Sequence, residues 1–355
     1  MVHTPLRYKI GQMLIIGFDG THIDADSPIA LSIQRDRVGG VILFDYHYQT
    51  QRFVKNIQNP EQVTQLNTTL QHLNTQAHLQ HDQPLLPLII SVDYEGGQVN
   101  RLKETCGFPK TISAAEAAQM SEDDVSKAAD AMATTLQQLG FNLDFTPVID
   151  VNINPENPII GKLDRSFSSD PYKVAEYARL YVKAFANHGI QCAYKHFPGH
   201  GSSLTDSHLG FVDVTETWQE QELIPYQVLL KEQLCSMVMT AHIVNRDLDP
   251  SGLPATLSHP ILTDILRKRL NYTGIIITDD MQMKAIADHY SIEKAMTLAI
   301  NAGADMLIFG NQLSATPQDP KFLIDHIESQ VLAGVISEDT IDQAYERIVA
   351  FKQCL

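Results

Sequence analysis

Eight short apolar runs, each followed by a polar stretch, constrain this chain more than any other feature. They are residues 12–18 (QMLIIGF), 40–45 (GVILFD), 87–93 (PLIISVD) and 141–148 (FNLDFTPV), then 190–197 (IQCAYKHF), 236–243 (SMVMTAHI), 274–280 (GIIITDD) and 304–310 (ADMLIFG). Each is apolar at nearly every position rather than at alternate ones, as in parallel strands buried on both faces. Between them lie segments with helical spacing. Residues 60–77 open on Pro60 and keep Val63, Leu66, Leu70 and Leu73 on one face. Residues 122–140, 172–189 and 291–303 stop at Gly140, Gly189 and Gly303, each a plausible C-terminal cap. Eight strands alternating with helices, with no Ser/Gly-rich linker, predict an α/β chain. The expected architecture is a single (β/α)8 TIM-type barrel over residues 1–355, with extra C-terminal helices from Pro317 onward. An open doubly wound sheet is the alternative, but no GxGxxG follows the first run.

Charge and cysteine usage narrow the function classes. The net charge of −16 and the absence of a basic run longer than Arg267–Arg269 argue against nucleic acid as a partner. The cysteines Cys106, Cys192, Cys235 and Cys354 are scattered without CxxC spacing, which suits a reducing compartment. The N-terminal apolar run is too short for a signal peptide or a membrane span, so the expected location is cytoplasmic. A removed leader and a periplasmic location stay open. No obligate protein partner is predicted.

Polar residues collect where the apolar runs end: Asp93, Lys195 and His196, His242, and Asp279 and Asp280. In a barrel those ends face the mouth where ligands bind, and charges finishing apolar strands are costly unless paired or used. The stretch KHFPGHGSSLTDSH, residues 195–208, adds His200, Asp206 and His208. Such a density of imidazoles either holds a metal or moves a proton. A metal would take His196, His200 and His208 with Asp279 as a fourth ligand, but no HxH or HExxH pairs two rings in advance. In the proton reading the carboxylate of Asp206, two residues from His208, keeps that ring charged as a general acid. Asp279 then stands opposite as the nucleophilic carboxylate of a retaining glycosidase.

Structural roles are expected for several residues. His200 shapes its loop by hydrogen bonding, and His242 either lines the pocket or satisfies a buried carbonyl. Asp280 points away from Asp279 to pair with a base or cap the next helix. His47 lies on the surface, and Trp218 lies too far into a helix-like stretch to carry a sugar.

Five stretches in order, KIGQMLIIGF (9–18), SVDYEGGQVNRL (91–102), DRSFSSDP (164–171), KHFPGHGSSLTDSH (195–208) and ITDDMQM (277–283), resemble glycoside hydrolase family 3, in particular its bacterial β-N-acetylglucosaminidase branch. The resemblance covers nearly the whole chain. It implies Asp279 as the nucleophile forming a covalent glycosyl-enzyme, and His208 as acid/base with Asp206 as its partner. It also implies Asp93, Arg101, Arg165, Lys195 and His196 as the sugar-binding set, with no cofactor and no metal. The substrate implied is a terminal β-1,4-linked GlcNAc on a peptidoglycan-derived muropeptide, removed during cytoplasmic recycling. Two loops depart from the family pattern, GSSLTDSH (201–208) and NPIIGKLDRSF (157–167), and the second lies where the leaving group would sit. A phosphorylase on the same fold, a metal-dependent barrel hydrolase and a sugar-binding protein without turnover are the other readings.

Overall fold

The computed structural model describes residues 4–80, 85–313 and 316–355. Nine strand pieces form one parallel sheet: β1 (Leu14–Gly17), β2 (Gly40–Ile42), β3 (Ile89–Val92), β4 (Leu143–Asp144), β5 (Gln191–Cys192), β6 (Tyr194–Phe197), β7 (Met237–Thr240), β8 (Ile275–Asp280) and β9 (Met306–Phe309). The order across the sheet is β6-β7-β8-β9-β1-β2-β3-β4-β5. Its two outer pieces, β5 and β6, are separated in sequence by Ala193 alone, so the sheet returns on itself as a barrel.

The fifth expected strand is therefore two pieces, each paired with one neighbour. Gln191 and Cys192 lie beside Leu143 and Asp144, whereas Tyr194 and Phe197 lie beside Val238 and Thr240. The cause lies in the fourth run, FNLDFTPV, where Pro147 has no N–H for a ladder and regular pairing ends at Asp144. Beyond that point the seam is held by single contacts. Ala193 N donates to Thr146 O at 3.0 Å, and Ile149 N to Lys195 O at 2.9 Å.

The expected helices form at Pro60–Gln80, Glu122–Leu139, Pro171–Asn187 and Ile292–Ala302. Glu122–Leu139 shows why. Ser121 accepts from Asp124 N at its start, three acidic residues fill its first turn, and Gly140 ends it at φ 81°. The tail folds as Pro320–Leu332 and Glu338–Lys352. Lys352 enters the closed end of the barrel, where its Nζ donates to Gln12 Oε1 at 2.8 Å and Gly39 O at 2.7 Å. Among the described residues no helix is long and apolar enough to cross a membrane. All four cysteines are free, and Cys235 Sγ donates to Cys192 O at 3.0 Å.

Trp218 departs from expectation. It sits in an irregular segment between the turn at residues 215–217 and the short helix Glu220–Leu223, and its Nε1 donates to Pro198 O at 3.2 Å. It props the loop after β6 from behind rather than lying within a helix.

Candidate active site

The stretch from Lys195 to His208 is a fixed stem with an exposed tip. Two glycines make the stem possible. Gly199 adopts φ 122°, and a Cβ there would meet Glu222 at 2.7 Å; a Cβ on Gly201 would lie 1.6 Å from Val151 O. Asp150 and Glu222 hold the backbone from below. Asp150 Oδ1 accepts from His200 N at 2.8 Å, and Glu222 Oε2 accepts from Gly201 N at 3.1 Å. His200 is buried, with Nδ1 2.6 Å from Ser203 Oγ and Nε2 3.3 Å from Ser207 Oγ. Burial and the neighbouring His196 push its pKa down to about 4. As expected, it shapes the loop.

At the barrel mouth the stem joins a cleft of about 460 Å³. All eight site residues expected from the sequence line it: Asp93, Arg101, Arg165, Lys195, His196, Asp206, His208 and Asp279. The floor is a buried charge cluster centred on Glu95. Arg165 forks onto that carboxylate, Nε to Oε2 at 2.8 Å and Nη2 to Oε1 at 2.7 Å. Lys195 Nζ lies 2.6 Å from Glu95 Oε1 and 3.0 Å from Asp93 Oδ1. Burial disfavours the charged forms of Glu95 and Lys195; the mutual charges outweigh it, holding the Glu95 carboxyl far below its usual range and Lys195 above its own. His196, joined to Lys195 by a cis peptide bond, is fixed by its Nδ1 at 2.7 Å from Asp150 Oδ2. Arg101 lies 3.9 Å from both Asp45 and Asp93, beyond hydrogen-bond reach, with its guanidinium 5.8 Å from the centre of the Phe44 ring.

Across the cleft Asp206 Oδ1 accepts from both N and Nδ1 of His208, each at 2.8 Å. A carboxylate only accepts, so Nδ1 carries a hydrogen and Nε2 is left for chemistry. The ring is 48% exposed, so desolvation disfavours its charged form only in part, and the Asp206 hydrogen bond with the charges of Asp279 and Asp206 raises its pKa above the usual value. Asp279 responds in the opposite sense. Burial would raise its pKa, yet His242, His196 and His208 together lower it, and Asp280 N donates to its Oδ1 at 2.8 Å. The site thus favours an ionised carboxylate facing a protonated imidazole.

Asp280 differs from its expected part. Among the described residues its carboxylate forms no ion pair and caps no helix; its Oδ1 accepts from Gln282 N at 3.0 Å and Gly310 N at 3.2 Å, fixing the turn after β8. Burial pushes its pKa up to about 6. His242 takes the second of its two expected parts, with Nε2 2.8 Å from Asp280 O and Nδ1 2.8 Å from Thr256 Oγ1. His47 is half-buried rather than on the surface, 3.5 Å from Asp19. Glu95, Asp150 and Glu222 were missed. The only signal was Glu95 in the EGG triplet; nothing in the sequence pairs Asp150 with His196 or Glu222 with the glycine turn.

The imidazoles lie in one region: His200 and His242 have partners on both ring nitrogens, while His196 and His208 each set Nδ1 against a carboxylate. Among the described residues no three His, Cys, Asp or Glu side chains converge as a metal ion requires.

Comparison with known proteins identifies the family. Residues 5–351 match the Glycosyl hydrolase family 3 N terminal domain. The chain is 36% identical over 293 residues to beta-hexosaminidase A of Pseudoalteromonas piscicida, spanning 78% of this chain and 46% of that protein. It is 33% identical over 322 residues to a beta-hexosaminidase of Alkalilimnicola ehrlichii, spanning 88% and 84%. A glycoside hydrolase family 3 beta-N-acetylglucosaminidase from Paenibacillus superposes with a TM-score of 0.87 at 32% identity, covering 99% of this chain and 63% of that one. The chain thus spans about half the length of the first of these relatives and most of the second. With the barrel, the charged floor and the match along nearly its whole length, this chain belongs to glycosyl hydrolase family 3.

Proposed function

We propose that the protein is a retaining exo-β-N-acetylglucosaminidase that removes terminal GlcNAc by double displacement. The observation that carries this reading is the pair Asp206–His208 facing Asp279 across one cleft, each side stabilising the charge of the other. In the first step Asp279 attacks the anomeric carbon while His208 Nε2 gives its proton to the departing oxygen. In the second, the neutral ring takes a proton from water, which displaces Asp279. Asp93, Arg101, Arg165, Lys195 and His196 bind the ring hydroxyls and the acetamido group. The fixed pairs of Asp93, Arg165, Lys195 and His196 let those groups strengthen contacts as positive charge develops without reorganising.

The relatives named above carry beta-hexosaminidase or beta-N-acetylglucosaminidase names, which supports GlcNAc as the sugar. The natural substrate we propose is a peptidoglycan-derived muropeptide, in the cytoplasm. The buried free thiols of Cys192 and Cys235 suit that reducing setting.

The test is hydrolysis of an aryl β-N-acetylglucosaminide by EDTA-treated protein and by Asp279→Ala, with and without inorganic phosphate. Activity that survives chelation, is lost in the variant and is independent of phosphate supports the reading. Restoration by zinc alone, or a sugar 1-phosphate product, would replace it with a metal hydrolase or a phosphorylase.

A further inference from the structure

Beyond the charged floor, the rim of the cleft carries a feature the catalytic groups do not explain. After β2 the chain makes a two-stranded antiparallel hairpin, Tyr46–His47 against Arg52–Phe53. Its base is tied down, with Val54 N and Lys55 N both donating to Asp45 O, at 2.6 and 3.2 Å. Gln312 Nε2 adds a bond to Tyr46 O at 3.0 Å from the loop after β9. On this base stand three aromatic rings. Tyr46 and Phe53 are cross-strand partners with ring centres 5.2 Å apart, and Tyr48 meets Tyr46 edge to face at 6.1 Å. Tyr46 and Tyr48 both line the cleft, yet Tyr48 is 56% exposed and Phe53 63%.

Large apolar side chains left in solvent beside a polar pocket mark a place where a ligand covers them. The apolar surface continues around the rim through Leu163, Leu209 and Leu313, and Leu209 is 71% exposed. The chemistry of the two levels differs. The floor presents carboxylates and cations suited to hydroxyl groups, while the rim presents flat, uncharged surface with Lys284 as a cation beside it. A pyranose ring matches such a surface because its hydroxyls point outward around the ring while its faces carry C–H bonds. With the terminal sugar on the floor, the group that meets the rim is the next residue along.

We propose that Tyr48, braced by Tyr46 and Phe53, is a stacking platform for the sugar ring that bears the leaving oxygen. The site thereby prefers a β-linked pyranose aglycone over one that offers no ring. This inference rests on the glycosidase reading above. It makes Tyr48 a specificity residue that acts through the aglycone and touches neither Asp279 nor the transferred proton.

The experiment compares two donors with the same terminal sugar: the β-fluoride of GlcNAc, whose leaving group has no ring, and N,N′-diacetylchitobiose, whose leaving group is a pyranose. The readout is the ratio of kcat/KM for the disaccharide to that for the fluoride. Tyr48→Ala should lower this ratio about three- to tenfold, as expected for one lost aromatic contact, and Tyr48→Phe should restore it. A ratio unchanged in Tyr48→Ala overturns the platform, even if both rates fall together through disturbance of the hairpin. A wild-type protein that turns over neither donor overturns the glycosidase reading and the platform with it.

Discussion

Replacing Glu95 with Gln tests the claim that the cleft floor is an electrostatic unit. The side chains of Glu95, Arg165 and Lys195 are 5%, 9% and 2% exposed, so none of their charges is met by bulk water. Glutamine keeps the shape but turns an amide NH2 toward N–H donors of Arg165 or Lys195, leaving buried cations short of a partner. Breaking a buried pair in this way costs about 3–5 kcal/mol. Lys195 keeps Asp93 at 3.0 Å, which places the expected loss in the lower part of that range, about 3–4 kcal/mol. For a chain of 355 residues the unfolding entropy is about 0.75 kcal/mol/K, so the melting temperature should fall by about 4–5 °C at pH 7. The pH dependence follows from the lowered pKa of Glu95. A carboxylate whose folded pKa is depressed contributes stability that is present above its unfolded value and lost as the pH falls. The gap between wild type and Glu95→Gln should therefore be full at pH 7 and narrow below about pH 4. Thermal unfolding followed by circular dichroism at pH 7 and pH 3.5 measures both. A shift under 1 °C at pH 7 would refute the reasoning.

Three further perturbations address other groups. His208→Ala should slow substrates with poor leaving groups by about 100-fold or more and activated aryl glycosides far less; equal losses in steady-state assays would remove its role as acid. Asp206→Asn deletes the hydrogen bond that most raises the His208 pKa, so the alkaline limb of the kcat/KM profile should move to lower pH, and an unmoved limb would contradict that pairing. Burial lowers the pKa of Lys352 to about 7, so an unfolded chain binds more protons than the folded one from there up to about pH 10. Folded stability should rise across that window, and Lys352→Met should flatten the rise by a few °C in paired melting curves.

Much of this arrangement was legible in the chain because the signals were local. Uninterrupted apolar runs identify parallel strands, and the charged residues finishing them can only face a barrel mouth. The spacing of two between Asp206 and His208 likewise predicts a contact that forms at 2.8 Å. What stayed hidden depends on contacts remote in sequence. Arg165 meets Glu95 across 70 positions, and His196 meets Asp150 across 46. No periodicity encodes such pairs. The division of the fifth run was hidden too, because its own residues read as one strand and the interruption originates at Pro147 on the neighbouring run. Tyr48 was missed for a third reason, since an aromatic residue in a short polar loop carries no pattern.

The reciprocal influence of Asp279 and His208 has a consequence for the proposed two-step reaction. The Asp279 charge raises the pKa of His208, and the charge of His208 helps lower that of Asp279. Such groups titrate as a coupled pair. Before reaction, the ionised carboxylate keeps the ring protonated, as a general acid must be. Once Asp279 is esterified by the sugar its charge is gone, and one contribution that held the proton on His208 disappears in the step where that ring must accept a proton from water. The shift needs no movement of either side chain. Asp279→Asn reproduces the neutral state in the free protein, so the His208 ring followed by NMR should titrate at lower pH in that variant than in wild type. The Asp206 hydrogen bond remains in both, so the difference isolates the nucleophile's charge. An unchanged His208 titration would show that the two groups are electrostatically independent, and the switch from acid to base would then need another cause.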